Sequence, residues 1–335
     1  MHSRSTIIAA ATAFAIVAPA LPAAAETTLK VSSCLARNHD QIVTYFNHFH
    51  DPLNKARNGI TLRYLGGPEI TPESKQAAAV QRGLIDMIVC PSAYYAGMVP
   101  EALVTSISNQ GHRELRANGA YDLMNTAWAK GAGMRIIAWP FWQGTMFHVY
   151  LTKEPKISRK TGLDLSGQKI RSTPLYNAFL KAMGGTPVVI APGEVYTSLQ
   201  RGVVNGLPWP EGAITNYGWQ EYIKYRIEPG FWRSSTMVTM SLDKYNAMPK
   251  KERDLLDAAG LKLEDESGPA QRKIVGVDNK KMFAAGVKVI KLEGETARNY
   301  LATVSDATWD DARKRKFTVP YEKLRALLYK RDGSS

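Results

Sequence analysis

Between residues 28 and 89 the sequence alternates three short apolar runs with two helical stretches. The apolar runs are Thr28–Ser33, Ile60–Leu65 and Ile85–Val89, and the helical stretches are His39–Ala56 and Thr71–Arg82. Strands that alternate with helices in this order form a parallel sheet covered by helices on both faces. We therefore predict an α/β fold built on a doubly wound sheet, in which ligands bind beyond the carboxyl ends of the strands.

The loops that follow these three strands are predicted to line one edge of the sheet. Ser92, Tyr94 and Tyr95 follow the third strand, and Glu69 follows the second. All four are candidates for ligand contact. The tyrosines could instead be core residues, and Glu69 could cap the next helix.

The first 25 residues have the features of a secretory signal peptide. His2 and Arg4 precede an apolar run from Ile7 to Ala20, and an A-x-A cleavage site ends at Ala25. The run is too short to span a membrane stably, which favours a cleaved signal peptide. A retained membrane anchor is the alternative. We predict cleavage after Ala25 and a mature protein in the periplasm.

The two cysteines could meet at the same edge of the sheet. Cys34 and Cys90 each lie one residue beyond a predicted strand, and the two strands are neighbours in a doubly wound unit. An exported protein permits a disulfide between them. Two free thiols are the alternative, because sequence does not fix the Cα separation that the bond requires.

A second series of strands follows along the chain. It comprises Met134–Trp139, Met146–Thr152, Gln168–Ser172, Thr186–Ile190 and Val287–Leu292. Phe231–Ser241 is rich in β-forming residues and is expected to cross between two lobes. From Pro249 onward the chain is predicted to be mainly helical, with two final helices at about 293–315 and 320–329.

One arginine ends a predicted strand within the stretch from Gly167 to Pro210. Residues 167–171 read GQKIR, and neither a nucleophile nor an acid–base pair lies beside Arg171. A guanidinium group is always charged, and its planar fork matches a carboxylate. The arrangement indicates an anion that is held rather than converted. An ion pair between Arg171 and Glu194 is the alternative.

Charge and motif content narrow the classes of function. The formal charge of +13 at pH 7 favours anionic ligands. Nucleic acid is not expected, because the basic residues are scattered along an exported chain. The six histidines form no zinc-binding pattern, and P-loop, GxGxxG and GxSxG motifs are absent. We expect no cofactor, no metal and no enzymatic activity, although a periplasmic enzyme on this scaffold is an alternative.

The stretch from Gly167 to Pro210 resembles the substrate-binding proteins of tripartite ATP-independent periplasmic (TRAP) transporters, of the dicarboxylate-binding type. The resemblance extends to Val80–Met87, Trp142–Gly144 and Leu242–Pro249. It implies a type II periplasmic-binding-protein fold, with two doubly wound lobes joined by crossing strands and a long helix. It also implies that a small organic anion binds between the lobes, which close like a hinge, and is delivered to membrane permease subunits.

We expect this protein to be a monomer, with one lobe formed by 26–148 and about 238–277 and the other by 149–237 and about 278–335. A partner role for a sensor, rather than for a permease, would have the same sequence features.

The family's carboxylate-binding arginine matches Arg171 in this sequence. Two departures from the family pattern concern its surroundings. First, the residues after Gly144 are Thr-Met-Phe, whereas many members have a second arginine there. Second, Trp209 stands where members usually have an asparagine, and Asn205 where they often have an aspartate. Fewer polar groups and an added indole favour a bulky or aromatic monocarboxylate. A place for Trp209 in the core or at the hinge is the alternative.

Four further aromatic residues could face the cleft: Trp142, Phe147, Tyr217 and Trp232. Trp142 and Phe147 lie in or beside a predicted strand, and the other two lie in segments that could reach the cleft. Each could equally be a core residue, since aromatic side chains are commonly buried.

Overall fold

The structure, a computed structural model, describes residues 26–140 and 145–330. Its strands are β1 (Thr27–Ser33), β2 (Ile60–Gly66), β3 (Met87–Pro91), β4 (Met134–Ala138), β5 (Met146–Leu151), β6 (Lys156–Ser158), β7 (Gly162–Asp164), β8 (Lys169–Ser172), β9 (Thr186–Val189), β10 (Gly206–Pro210), β11 (Tyr225–Glu228), β12 (Phe231–Arg233), β13 (Thr236–Ser241) and β14 (Lys288–Lys291). Its helices are α1 (Asp40–Tyr45), α2 (Asp51–Ala56), α3 (Glu73–Gln81), α4 (His112–Ala117), α5 (Ala120–Ala132), α6 (Asn177–Ala182), α7 (Val195–Gln200), α8 (Leu242–Ala247), α9 (Lys250–Ala284), α10 (Gly294–Arg313) and α11 (Tyr321–Leu328). The predicted signal peptide and Trp142 lie outside the described residues.

The first sheet has the strand order β2-β1-β3-β13-β4. β1 pairs in parallel with both β2 and β3, as the alternation of strands and helices predicts. β13 runs antiparallel between β3 and β4. The second series of predicted strands is therefore divided between the two sheets. β4 belongs to the first sheet, where it pairs with β13, a strand about a hundred residues later in the sequence.

The second sheet has the order β10-β5-β11-β14, and β12 also pairs with β5. β10, β11 and β12 are antiparallel to β5, whereas β14 is parallel to β11. β8 and β9 form a separate parallel pair, which is tied to the segment before β10 by a hydrogen bond from Asn205 N to the Lys169 carbonyl at 2.7 Å. The second lobe is thus a mixed structure and repeats the first only in part.

Two residues connect a strand of the second sheet to a strand of the first. β12 ends at Arg233 and β13 begins at Thr236, so that Ser234 and Ser235 cross between the lobes. This agrees with the prediction for Phe231–Ser241. The residue ranges proposed for the two lobes remain a prediction.

Helix α9 contacts both lobes over its 35 residues, a length of about 50 Å. It packs closely on β4 at Gly260, where a Cβ atom would lie 2.3 Å from the Ile137 carbonyl oxygen. Further along, Asp278 accepts a hydrogen bond from the Thr215 backbone N–H at 3.0 Å. The predicted α/β class, with two lobes, crossing strands and a long helix, is confirmed. No helix within the described ranges has the length and apolar character needed to cross a bilayer.

Cys34 and Cys90 are joined by a disulfide, and their Cα atoms are 4.8 Å apart. The strand register explains this pairing, because Ser33 of β1 lies opposite Val89 of β3. The residues that follow each strand are therefore side by side. The bond fastens the ends of two central strands at the edge where the cleft opens.

Candidate functional site

Arg171 lies on β8, and its side chain is fully buried. Its Nε donates a hydrogen bond to the Ile190 carbonyl at 2.9 Å. The terminal nitrogens Nη1 and Nη2 are buried and form no hydrogen bond with any described residue. Glu194, the alternative partner, is exposed. Burying a cation without partners is costly, because it loses its hydration and gains nothing in exchange. A group in this state is suited to hold an anion.

The indole of Trp209 lies beside the guanidinium group. The Arg171 Cζ is 5.3 Å from the centre of the Trp209 ring. Trp209 is on β10 and packs edge-to-face against Trp219, with ring centres 4.9 Å apart. Because Trp219 is fully buried, it holds the indole in a fixed orientation. Arg171 and Trp209 therefore form one rigid group in the second lobe.

Two tyrosine hydroxyl groups also face Arg171. Burial raises the pKa of Tyr94 above its ordinary value of 10.0, and the nearby guanidinium opposes this rise. Burial likewise raises the pKa of Tyr176, and the positive charge of Arg171 again acts to lower it. Both phenols therefore remain protonated at neutral pH. Both hydroxyl groups are close enough for the guanidinium to lower their pKa values, although no hydrogen bond of ordinary geometry joins them to Nη1 or Nη2.

A narrow cavity of about 40 Å³ lies between the lobes next to this group. Its walls are therefore close together. Tyr94 from the first lobe and Tyr176 and Trp209 from the second line the cavity. Arg171 contacts these side chains but does not itself line the cavity. A ligand can therefore reach the guanidinium only when a wall residue moves or the lobes separate.

The cavity walls contain three buried polar atoms that lack a hydrogen-bond partner in the described part of the chain. They are His39 Nε2, Thr173 Oγ1 and Trp209 Nε1. Buried polar groups in proteins are normally paired. A polar molecule in the cavity could satisfy these atoms. No group of three His, Cys, Asp or Glu side chains able to hold a metal ion occurs among residues 26–140 and 145–330.

The sequence from residue 32 to residue 315 matches the family described as bacterial extracellular solute-binding protein, family 7. The chain belongs to this family. A curated relative is the 2,3-diketo-L-gulonate-binding periplasmic protein YiaO of Escherichia coli strain K12. It is 27% identical over 257 residues, which cover 72% of this chain and 74% of that protein.

Solved structures of the same kind share the fold. A TRAP transporter solute-binding protein from Bordetella bronchiseptica RB50, with copurified calcium and picolinate bound, superimposes with a TM-score of 0.78 at 18% identity, covering 91% of this chain and 92% of that one. A Bordetella pertussis extracytoplasmic solute receptor binding pyroglutamic acid superimposes with a TM-score of 0.75 at 15% identity, covering 91% and 100%. The family and these neighbours are solute-binding receptors, not enzymes. The predicted membership of the TRAP class is confirmed.

The structure brings part of the predicted set together in this family 7 protein. Ser92, Tyr94, Phe147 and Trp209 line the cavity, and Arg171 adjoins it. They come from the turn after β3 and from β5, β8 and β10, so both lobes contribute. Their role in ligand binding remains a prediction.

Tyr95, Asn205 and Trp232 lie away from the cavity. Tyr95 is fully buried in the core, where its hydroxyl group is 2.7 Å from Thr239 Oγ1. The side-chain oxygen of Asn205 accepts a hydrogen bond from the Lys169 backbone N–H at 3.1 Å, so it joins two strands. Trp232 packs among other aromatic rings and borders a separate surface groove. The structure therefore does not bring these three residues together with Arg171 at the cavity, and a ligand contact for them stays a prediction.

Glu69 and Tyr217 lie at a neighbouring cavity that opens between loops of the two lobes. The exposed Glu69 accepts a hydrogen bond from the Gly67 backbone N–H at 2.6 Å and does not cap α3. Tyr217 stacks on Trp219 with ring centres 4.6 Å apart. Leu35 lines both cavities, so the two spaces are adjacent.

Several cavity residues were not predicted from the sequence. Thr173 and Tyr176 directly follow the strand of Arg171, and that position could have identified them. His39 lies in the loop predicted to border the ligand edge, but nothing distinguished it within that loop. Gln41 is buried, and its amide bonds Ser234 Oγ at 2.8 Å. That contact has no sequence signal, because the two residues are 193 positions apart.

Proposed function

We propose that this family 7 protein binds an organic monocarboxylate between its lobes and that Arg171 holds the carboxylate group. The observation that carries the proposal is the pair of buried terminal nitrogens on Arg171 that have no partner within the described residues. A carboxylate can accept from both at once, with the short distances of charge-assisted hydrogen bonds. The hydroxyl groups of Tyr94 and Tyr176 are close enough to add further donors.

The walls of the cavity favour a flat or bulky apolar body on the ligand. Phe147, Tyr176 and Trp209 present aromatic surface to the cavity. Aromatic side chains bind aromatic ligands through edge or offset contacts, in addition to area burial. The ligands named for the relatives support an organic acid: a diketo sugar acid for YiaO, and picolinate and pyroglutamic acid for the two structures. Among these, the aromatic acid fits the indole best.

Ligand capture requires the lobes to open and close. The guanidinium of Arg171 is enclosed by residues of both lobes, and the lobes touch where the Asn216 amide donates to the Asn38 carbonyl at 3.1 Å. A ligand that contacts both lobes favours the closed arrangement. We further propose that the loaded protein acts as a monomer in the periplasm and delivers its ligand to a TRAP permease.

Thermal unfolding with matched ligands tests the binding proposal. Benzoate and benzamide have nearly the same shape, but only benzoate is an anion. Benzoate should raise the melting temperature by mass action, while benzamide should leave it unchanged. Equal shifts of the melting temperature from the two compounds would show that the negative charge of the ligand does not contribute to binding.

A size series and a scattering measurement complete the test. Benzoate should bind more tightly than acetate and cyclohexanecarboxylate in calorimetry, because it fits the aromatic walls. X-ray scattering at saturating benzoate should show a smaller radius of gyration than the unliganded protein. An unchanged radius would argue against hinge closure, and a stronger effect of acetate would argue against the aromatic ligand.

A further inference from the structure

Gly212 of the second lobe lies directly against Asp40 of the first. Gly212 is buried in the turn after β10, and its φ of +93° is one that glycine adopts without strain. A Cβ atom at this position would lie 2.1 Å from Asp40 Oδ2 and 3.2 Å from Asp40 Cγ. The two lobes can therefore come this close only because residue 212 has no side chain.

The turn that contains Gly212 is firmly held within the second lobe. The Glu211 backbone N–H donates to the Met146 carbonyl at 2.8 Å, and the Thr215 backbone N–H donates to Asp278 Oδ1 at 3.0 Å. These hydrogen bonds lie on either side of Gly212 in the sequence. The turn cannot withdraw from the first lobe without breaking one of them.

Asp40 is held equally firmly within the first lobe. Its backbone carbonyl accepts hydrogen bonds from Gln271 Nε2 and Thr44 Oγ1, both at 3.0 Å. Its Oδ1 accepts from the Gln41 backbone N–H at 2.9 Å, so rotation of the side chain loses that bond. Oδ2 is buried and has no partner among the described residues. Because burying a carboxylate oxygen without a partner is costly, we expect this contact to separate when no ligand holds the lobes together.

We propose that Gly212 is a positioning residue that allows the two lobes to close over the ligand. The inference rests on the hinge closure of the proposed function and does not depend on which carboxylate binds. A side chain at residue 212 would hold the turn away from Asp40. His39 precedes Asp40 and Trp209 lies three residues before Gly212, so these two cavity residues would also be held apart. A ligand would then lose its contacts with one of the lobes.

Gly286→Ala is a matched control for Gly212→Ala. Gly286 has the same φ of +93°, is exposed in the turn after α9, and has no atom within 4 Å of the position of a Cβ. Both substitutions place alanine in a strained backbone conformation, but only Gly212→Ala brings a side chain against the other lobe. Combining Gly212→Ala with Asp40→Ala removes the opposing carboxylate and should rescue closure. Urea unfolding without ligand checks that each variant is folded.

Cross-linking measures closure without any ligand. Asn38 and Asn216 are exposed, and the 3.1 Å hydrogen bond between them joins the lobes. In a protein that carries Asn38→Cys and Asn216→Cys, a short bismaleimide should link the two thiols when the lobes meet. No natural thiol competes, because the two cysteines of the sequence form the disulfide.

The rate of cross-linking should distinguish the variants. It should fall about 5-fold to 150-fold in Gly212→Ala, the effect of one overpacked contact, and should be unchanged in Gly286→Ala. Adding Asp40→Ala to Gly212→Ala should restore most of the rate, because the two residues are coupled only if they meet. In calorimetry, the dissociation constant for benzoate should rise by a similar factor in Gly212→Ala and should not rise in Gly286→Ala.

Each alternative result has a separate meaning. Equal cross-linking rates in Gly212→Ala and Gly286→Ala would overturn the role of Gly212, as would a double variant no faster than Gly212→Ala. So would the absence of cross-linking when Gly212 is retained, because the two segments would then not meet in solution. If benzoate still binds in any of these cases, the proposed binding function stands. If benzoate does not bind the unsubstituted protein, the aromatic-acid proposal fails, and the cross-linking rates still decide the role of Gly212.

Discussion

Replacing Arg171 by methionine separates the contribution of this side chain to ligand binding from its contribution to folding. The side chain is fully buried and makes one hydrogen bond, from Nε to the Ile190 carbonyl. The substitution loses that bond, at a cost of about 0.5–1.5 kcal/mol. It also removes two buried donors without partners, each of which costs about 1–3 kcal/mol. In the closed arrangement these terms amount to a gain of about 0.5–5.5 kcal/mol. Water that reaches the donors when the lobes open reduces this gain, so the free energy of unfolding without ligand should be unchanged or should increase by a few kcal/mol.

The same substitution should strongly reduce affinity. Removing one partner of a buried, hydrogen-bonded charge pair costs about 2–5 kcal/mol. The dissociation constant for benzoate should then rise by about 30-fold to 5,000-fold. Calorimetry measures the affinity, and urea unfolding without ligand measures the stability of the same preparation. Arg171→Lys should also bind weakly, because an ammonium group keeps the charge but not the planar fork.

Arg226→Met is a matched control in the same lobe. The Arg226 guanidinium is buried as well, but it is paired: Nη1 is 3.1 Å from Asn279 Oδ1 and 3.5 Å from Glu211 Oε1, and Nη2 is paired with Glu228. Its removal leaves Glu228 without its ion-pair partner and takes one partner from Glu211, so we expect a loss of about 3 kcal/mol of unfolding free energy. Affinity for benzoate should change little, since Arg226 does not line the cavity. Equal destabilisation of both variants, or an unchanged dissociation constant for Arg171→Met, would refute the reasoning.

Three further predictions concern acid stability, the disulfide and the indole. Burial raises the pKa of Glu211, but its contacts with His148 and Arg226 outweigh burial and hold the pKa below its ordinary value of 4.5. The ionised form of Glu211 therefore stabilises the fold at higher pH, and this contribution is lost as the pH falls through the lowered pKa. In urea titrations between about pH 5 and pH 3, Glu211→Gln should therefore lose less unfolding free energy than the unsubstituted protein. Replacing both Cys34 and Cys90 by alanine opens a loop with a sequence separation of 56 and should lower the unfolding free energy by about 4 kcal/mol, whereas an unchanged urea midpoint would show that the bond adds nothing. Trp209→Ala should weaken benzoate binding more than cyclohexanecarboxylate binding by about 0.5–1.5 kcal/mol, and equal losses would make the indole a scaffold residue.

The parts of the fold that were predictable depend on local sequence patterns. The alternation of apolar runs with helical stretches predicted β1, β2 and β3 and their parallel pairing. The position of β13 between β3 and β4 depends on contacts between residues far apart in the sequence. No local period carries that information, and the mixed second sheet was missed for the same reason.

In the candidate site, the sequence also failed to distinguish two neighbouring residues that have different positions. Tyr94 lines the cavity and Tyr95 lies in the core, although both follow the same strand. The two lie in a 3-10 turn, Ser92–Tyr95, and successive residues of such a turn point in different directions. Sequence located the turn at the ligand edge but could not decide which ring faced the ligand. Arg171 was singled out because it ends a predicted strand and matches the family's carboxylate-binding arginine; the strand end alone left an ion pair with Glu194 equally open.

The unpaired atoms around the cavity explain how a ligand can control closure. When the lobes are apart, water can hydrate Arg171, His39 and Trp209, so their polar atoms cost little. When the lobes close without a ligand, the same atoms lose water and gain no partner, which disfavours the closed arrangement. A ligand that fills the cavity satisfies these atoms only when both lobes surround it, because His39 belongs to the first lobe and Arg171 and Trp209 to the second. In the proposed function, the groups that contact the ligand are therefore the groups that make closure depend on it.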